Sequence, residues 1–136
     1  MPNEKGGSGG CLCGGVRYRV TGRLEDVGAC HCSQCRKTTG HYFAATSCKR
    51  PALTFESDET LAWYRSSAGA RRGFCSRCGA SLFWERIEGD KVDILAGTLD
   101  QPTGLTMTDH IYVADKGDYY EIDDGLPQFP QYHDTK

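Results

Sequence analysis

The stretch Cys11-Leu12-Cys13-Gly14-Gly15-Val16-Arg17-Tyr18-Arg19-Val20-Thr21 carries two patterns at once. In its second half Val16, Tyr18 and Val20 alternate with Arg17, Arg19 and Thr21, the period of two of a half-buried strand. In its first half two cysteines stand one residue apart, and residues i and i+2 of an extended segment share a side. Working outward, further short strands are predicted at Tyr42–Ser47, Leu53–Glu56, Leu61–Arg65, Arg71–Cys75, Ser81–Arg86, Lys91–Ala96 and His110–Ala114. Glu88-Gly89-Asp90 supplies hairpin turn chemistry between two of them. The one helical piece is short, Ser33 to Thr39, stopped by Gly40 as the residue after the helix end. These signs give a mainly β chain: a single domain over residues 10–131, built of short antiparallel strands with one short helical turn. The glycine-rich residues 1–9 read as a flexible tail and residues 132–136 as a C-terminal tail.

Composition narrows the function classes. The chain has 136 residues, enough for one modest core and too few for two ordinary domains. Its 16 basic and 18 acidic residues leave a net charge of −2, which speaks against a general nucleic-acid partner or an acidic membrane surface. No apolar run approaches the roughly 20 residues of a membrane helix. MPNEKGGSGG has no apolar core of a secretion signal, so a cytoplasmic, reducing setting is expected. There, eight cysteines are read as metal ligands or catalytic groups rather than as disulfides.

Spacing sorts the thiols. Cys11 and Cys13 can face one ion, and Cys75-Ser76-Arg77-Cys78-Gly79 forms a tight knuckle in which Gly79 can take a positive φ. Four thiolates at about 2.3 Å make a closed tetrahedral zinc site, with a structural role. The third cluster, Cys30-His31-Cys32-Ser33-Gln34-Cys35-Arg36, brings three thiols together. Cys30 and Cys32 share a side of an extended stretch, and Cys32 and Cys35 lie on one face of a helical turn. Three protein ligands and an open position mark a catalytic zinc site, while Cys48 as a fourth ligand would make it a second closed one; spacing leaves both open. His31 and His41 are weaker ligand candidates, read as surface or hydrogen-bonding side chains.

Three thiolates on zinc(II) leave a charge of about −1, a poor setting for ionising water and a good one for an incoming soft thiol. A thiol held as thiolate is a nucleophile for an aldehyde carbon. Arg36 and Lys37 follow directly and are candidates to bind the carboxylates of a thiol cofactor.

The runs G-C-L-C-G-G-V-R-Y, C-H-C-S-Q-C-R-K and F-C-S-R-C-G resemble the glutathione-dependent formaldehyde-activating enzyme family, which also includes centromere protein V-like proteins. V-D-I-L-A-G-T-L-D at residues 92–100 and H-I-Y-V-A-D-K-G-D-Y-Y-E-I-D-D-G-L-P at residues 110–127 agree with it. The resemblance implies a zinc-built, mainly β fold with two zinc ions per chain. Cys11, Cys13, Cys75 and Cys78 match its structural ligands, and Cys30, Cys32 and Cys35 its catalytic ones. It further implies condensation of formaldehyde with glutathione to S-hydroxymethylglutathione, a carbon–sulfur lyase reaction in reverse, with glutathione as co-substrate. Fold likeness alone does not fix the substrate, and the rival readings are a non-enzymatic zinc-built binding module or a carrier of the thiol adduct. A redox role for Cys32-x-x-Cys35 lacks the βαβ context that such a motif needs.

His110 is read as a strand-end histidine bonded to the backbone, or as a polar group reaching the second site. Trp63, Tyr64, Phe83 and Trp84 are assigned to the core or to half-buried strand positions. Tyr119-Tyr120 and Gly125-Leu126-Pro127 are assigned to a C-terminal cover, and Asp123 and Asp124 to a turn. Arg17, Arg19, Arg71 and Arg72 could form a local basic patch.

Overall fold

Ten strands and one α-helix are formed by residues 2–133, which the computed structural model describes. They are β1 (Gly6–Gly10), β2 (Val16–Thr21), β3 (Val27–Cys30), α1 (Ser33–Thr39), β4 (Phe43–Lys49), β5 (Leu53–Asp58), β6 (Leu61–Ser67), β7 (Ala70–Cys75), β8 (Ser81–Arg86), β9 (Lys91–Leu95) and β10 (Met107–Ile111). β1, β2 and β5 make a three-stranded sheet, and the others a seven-stranded one in the order β10-β3-β4-β9-β8-β7-β6. Every ladder is antiparallel except β10 on β3, which is parallel and departs from the all-antiparallel expectation. A parallel neighbour needs a long crossover, and the chain between residues 30 and 107 supplies it. Among the described residues no helix is long and apolar enough to cross a membrane.

The two sheets share one core. Val16, Tyr18 and Val20 of β2 meet Leu82 and Phe83 of β8, Val92 and Ile94 of β9 and Cys48 of β4 in a single buried cluster. The Tyr18 ring stands edge-on to Phe83 at 5.4 Å, and its buried hydroxyl is paired with Thr98 Oγ1 at 2.7 Å. The alternation over residues 16–21 is therefore the seam between the sheets. Tyr64 departs from its half-buried assignment: it lies on the edge strand β6 and is 63% exposed.

Of the tail expected over residues 1–9, Met1 lies outside the described residues, and residues 3–9 are held in the fold rather than flexible. Gly6–Gly10 pairs with β2 residue by residue, and Asn3 exchanges backbone hydrogen bonds with Leu24. The glycines serve close approach rather than freedom: a Cβ on Gly9 would lie 2.3 Å from Thr98 O and 2.5 Å from Tyr18 OH. The folded unit thus begins before residue 10. At the other end, His133 pairs with Asp109 at 2.7 Å, and the last three residues of the expected tail lie outside the described residues. The strand expected at His110–Ala114 sits instead at Met107–Ile111, and β3, with its Val-Gly-Ala-Cys sequence, has no alternation to reveal it.

Candidate metal centres and active site

The first centre forms where the β1–β2 turn meets the end of β7. Ligand atoms of Cys11, Cys13, Cys75 and Cys78 all lie within 4.8 Å of one another. The Cys11–Cys13 and Cys13–Cys75 sulfur separations are both 3.6 Å. Four sulfurs at 2.3 Å from one ion stand about 3.8 Å apart, so the cage fits a tetrahedral thiolate site. The backbone is folded around it: Val16 N–H donates to Cys11 Sγ at 3.3 Å, and Arg77 and Cys78 N–H to Cys75 Sγ at 3.4 and 3.3 Å. Gly79 takes φ 79°, as the knuckle requires, and its N–H bonds Cys75 O at 2.8 Å. Burial pushes the Cys75 thiol up, but the Thr60 hydroxyl and these N–H groups outweigh it and hold it down at about 5.

The second centre lies at the end of β3 and the start of α1. Cys30, Cys32 and Cys35 have their sulfurs within 4.8 Å of one another. Cys32 is the N-cap of α1, accepting from Cys35 N–H at 3.3 Å, so one thiol both starts the helix and joins the cluster. Gly40 ends α1 with φ 83° and bonds Arg36 O at 2.9 Å, as expected. Hydrogen bonds from Cys30 and Cys35 hold the Cys32 thiol down at about 2, while those with Cys32 and Cys35 push Cys30 up. Cys48 does not complete the set. It is 4% exposed within the apolar cluster between the sheets, where burial raises its thiol to about 11. Among the described residues, no fourth ligand joins the three.

A family profile settles the relationship. The profile of the glutathione-dependent formaldehyde-activating enzyme matches residues 7–115. The chain belongs to that family. An uncharacterized lyase of Schizosaccharomyces pombe is 28% identical to this chain over 116 residues, covering 84% of this chain and 83% of that protein. A Halomonas elongata protein that carries the family's name is 28% identical over 128 residues, covering 85% of this chain and 80% of its own. The crystal structure of a Rhodobacter sphaeroides protein has the same fold, with TM-score 0.60 at 24% identity, covering 74% of this chain and 99% of that one.

Around the three-cysteine centre of this family member, the structure gathers residues that the sequence had placed elsewhere. Arg72, considered as part of a basic patch, is only 8% exposed. It donates to Gln34 Oε1 through Nε at 3.2 Å and Nη2 at 2.9 Å, and Nη2 reaches Cys35 Sγ at 3.5 Å. The rest of the patch is spent on ion pairs: Arg17 with Asp100 at 2.7 Å, Arg19 with Glu56 at 3.4 Å and Arg71 with the buried Glu85 at 2.6 Å. Beside Arg72 and Phe43 a cavity of about 210 Å³ opens between α1 and the Gly79–Ser81 segment. Arg36 keeps a buried Nε without a hydrogen bond, and Lys37 is exposed.

His31 and His110, far apart in sequence, are joined by the fold. His31 Nε2 and His110 Nδ1 are 2.8 Å apart, and His110 Nε2 lies 2.7 Å from Asp124 Oδ2. His31 Nδ1 meets the Tyr120 hydroxyl. His110 thus bonds through its side chain to His31 and Asp124, and Asp124 is more than a turn residue. The N–H of Leu126, and then His110, hold the Asp124 carboxyl below its usual range, so it accepts only. Asp124 therefore accepts from His110 Nε2–H, and the tautomers of the two rings set which atom donates in the His31–His110 and Tyr120–His31 links. Burial pulls the His31 imidazole down to about 4. Tyr119, part of the expected cover, reaches the exposed His41 through its hydroxyl. No pattern in one sequence links partners 79 positions apart; the only cue is that each histidine lies in a motif of the family.

Proposed function

We propose that this protein is a zinc-dependent carbon–sulfur lyase, joining a small thiol of the glutathione kind to an aldehyde and splitting their adduct in reverse. The observation that carries the reading is the inequality of the two centres. Four cysteines close one tetrahedron, and three form the other with Cys48 sequestered in the core. In this reading the first centre is structural and ties the β1–β2 turn to β7. Cys30, Cys32 and Cys35 hold the second zinc. The chemistry zinc supplies when bound there is stabilisation of an incoming sulfur as thiolate at neutral pH.

The residues of the chain do the rest. Arg72, donating to Cys35 Sγ from a buried position, offsets the negative charge that three thiolates leave. Arg36 and Lys37, which follow Cys35 on α1, take carboxylates of the thiol substrate. In the forward direction the thiol sulfur gives up its proton and bonds the carbonyl carbon. The C=O π bond breaks and the oxygen takes up a proton; nothing is oxidised or reduced. All eight cysteines are free, which suits a reducing cytoplasmic setting.

The test joins a metal count by native mass spectrometry to exchange spectroscopy of glutathione with formaldehyde. The parent is expected to carry two zinc ions and to exceed the spontaneous rate. Cys35→Ser is expected to lose one zinc and the added rate while keeping its β-sheet circular dichroism. A Cys35→Ser variant with parental turnover, or a two-zinc parent no faster than the spontaneous reaction, would refute the assignment.

A further inference from the structure

The alternation of β3 decides which way its side chains face. Cys30 stands opposite Phe43 and Ala29 opposite Ala44 on β4, while Ala29 neighbours His110 on β10. The extended geometry continues past the strand: His31 N–H still bonds Ile111 O at 3.0 Å, and Cys32 has φ −63° and ψ 159°. Ala29 and His31 therefore point to one face of the sheet, and Cys30 and Cys32 to the other. One short piece of backbone carries two sulfurs on one side and an imidazole on the other.

That imidazole is held at both nitrogens. His31 is 1% exposed and His110 2%, and every nitrogen of the pair has its partner in the chain from Tyr120 to Asp124. Tyr42 packs on the His31 ring with centroids 4.9 Å apart. The segment that supplies both ends of the chain is itself tied down. His110 N–H bonds Pro127 O at 2.9 Å, Phe129 N–H bonds His110 O at 2.9 Å, and Lys116 Nζ bonds Tyr120 O at 2.7 Å. A break at any link leaves a buried polar atom unpaired, which the interior relieves only by moving the ring or the backbone.

We propose that His110 and Asp124 are positioning residues for the three-cysteine centre: acting through His31, they clamp the Cys30–Cys32 backbone and set the spacing of its sulfurs. This rests on reading Cys30, Cys32 and Cys35 as a metal centre. The role is that of an outer shell reached through the chain rather than through a ligand's own ring. A packed apolar group in place of His110 would fill the same volume but leave His31 free to turn.

Cobalt(II) loaded in place of zinc reports thiolate geometry through its sulfur-to-metal charge-transfer and d–d bands. The variants are Asp124→Ala and His110→Phe, with Asp124→Asn as the conservative control that keeps an oxygen acceptor. Asp124→Ala and His110→Phe are expected to hold the second metal roughly 10- to 100-fold more weakly against a competing chelator, the range seen for outer-shell partners. Their cobalt bands should shift, the four-cysteine site should keep its metal, and Asp124→Asn should stay close to the parent. Affinity within about twofold of the parent and unchanged bands in both would overturn the proposal. Should His110→Phe not fold, Asp124→Ala, at a side chain 36% exposed, decides alone. Neither readout involves turnover. A parent that binds two metals yet lacks thiol–aldehyde activity would refute the proposed reaction and leave the clamp standing; a parent that binds only one metal would refute both.

Discussion

Replacing Arg72 with methionine keeps a side chain of similar reach and removes the guanidinium. In the parent that group donates to Gln34 Oε1 at 3.2 and 2.9 Å and to Cys35 Sγ at 3.5 Å, at a position 8% exposed. Hydrogen bonds involving a charged group contribute about 1.5–3 kcal/mol. The contact to sulfur is long, so its share is set at the lower end, about 1.5 kcal/mol, or roughly tenfold in the affinity of the second centre for zinc. The bonds to Gln34 add little, because that side chain is exposed and water takes the guanidinium's place. Arg72→Lys keeps the charge and loses the planar fork, and is expected near threefold. The assay is competition with a chelator followed by native mass spectrometry, with the four-cysteine site as internal reference. An Arg72→Met protein that retains its second zinc with parental affinity would show that the guanidinium does not act on the centre.

Three other outcomes follow from separate parts of the molecule. Gly9→Ala sets a Cβ 2.3 Å from Thr98 O, and urea denaturation should show a loss of about 1–3 kcal/mol; a change under about 0.5 kcal/mol would return this segment to the status of a tail. Cys48→Ala should cost about 1 kcal/mol of packing while both metals stay bound, and loss of one metal would make Cys48 a ligand after all. Burial raises the Asp93 carboxyl to about 6, so the folded state binds more protons than the unfolded state between roughly pH 4 and 6, and the parent loses stability as pH rises through that window. Asp93→Asn removes this loss: its advantage over the parent should grow by up to about 3 kcal/mol from pH 4 to pH 7, and a flat difference would refute the buried, protonated carboxyl.

Local chemistry made much of the fold and both cysteine clusters legible. The alternation over Val16–Val20 marked the inter-sheet seam, Gly40 marked the end of α1, and Cys75 to Gly79 marked the knuckle, because each depends on residues within one turn or one strand. The Cys30–Cys35 cluster is of the same kind, since three thiols converge from six consecutive residues once Cys32 caps the helix. The errors share a different cause. Glycines at residues 6–10 look identical as a linker and as a strand pressed on its neighbour, and only the position of Thr98 and Tyr18 distinguishes the two. Cys48 could join a metal or the core until the β4–β9 pairing set it opposite Val92.

The cover over His31 shows where the boundary lies. The sequence alone determined that two thiol clusters exist and how many thiols each draws from nearby residues, since spacing suffices for that. The tertiary structure decided that Arg72 reaches Cys35, and that Tyr120, His31, His110 and Asp124 form one chain. Those contacts depend on strand order, above all on β10 lying parallel to β3, and strand order follows from how the whole chain buries its apolar faces.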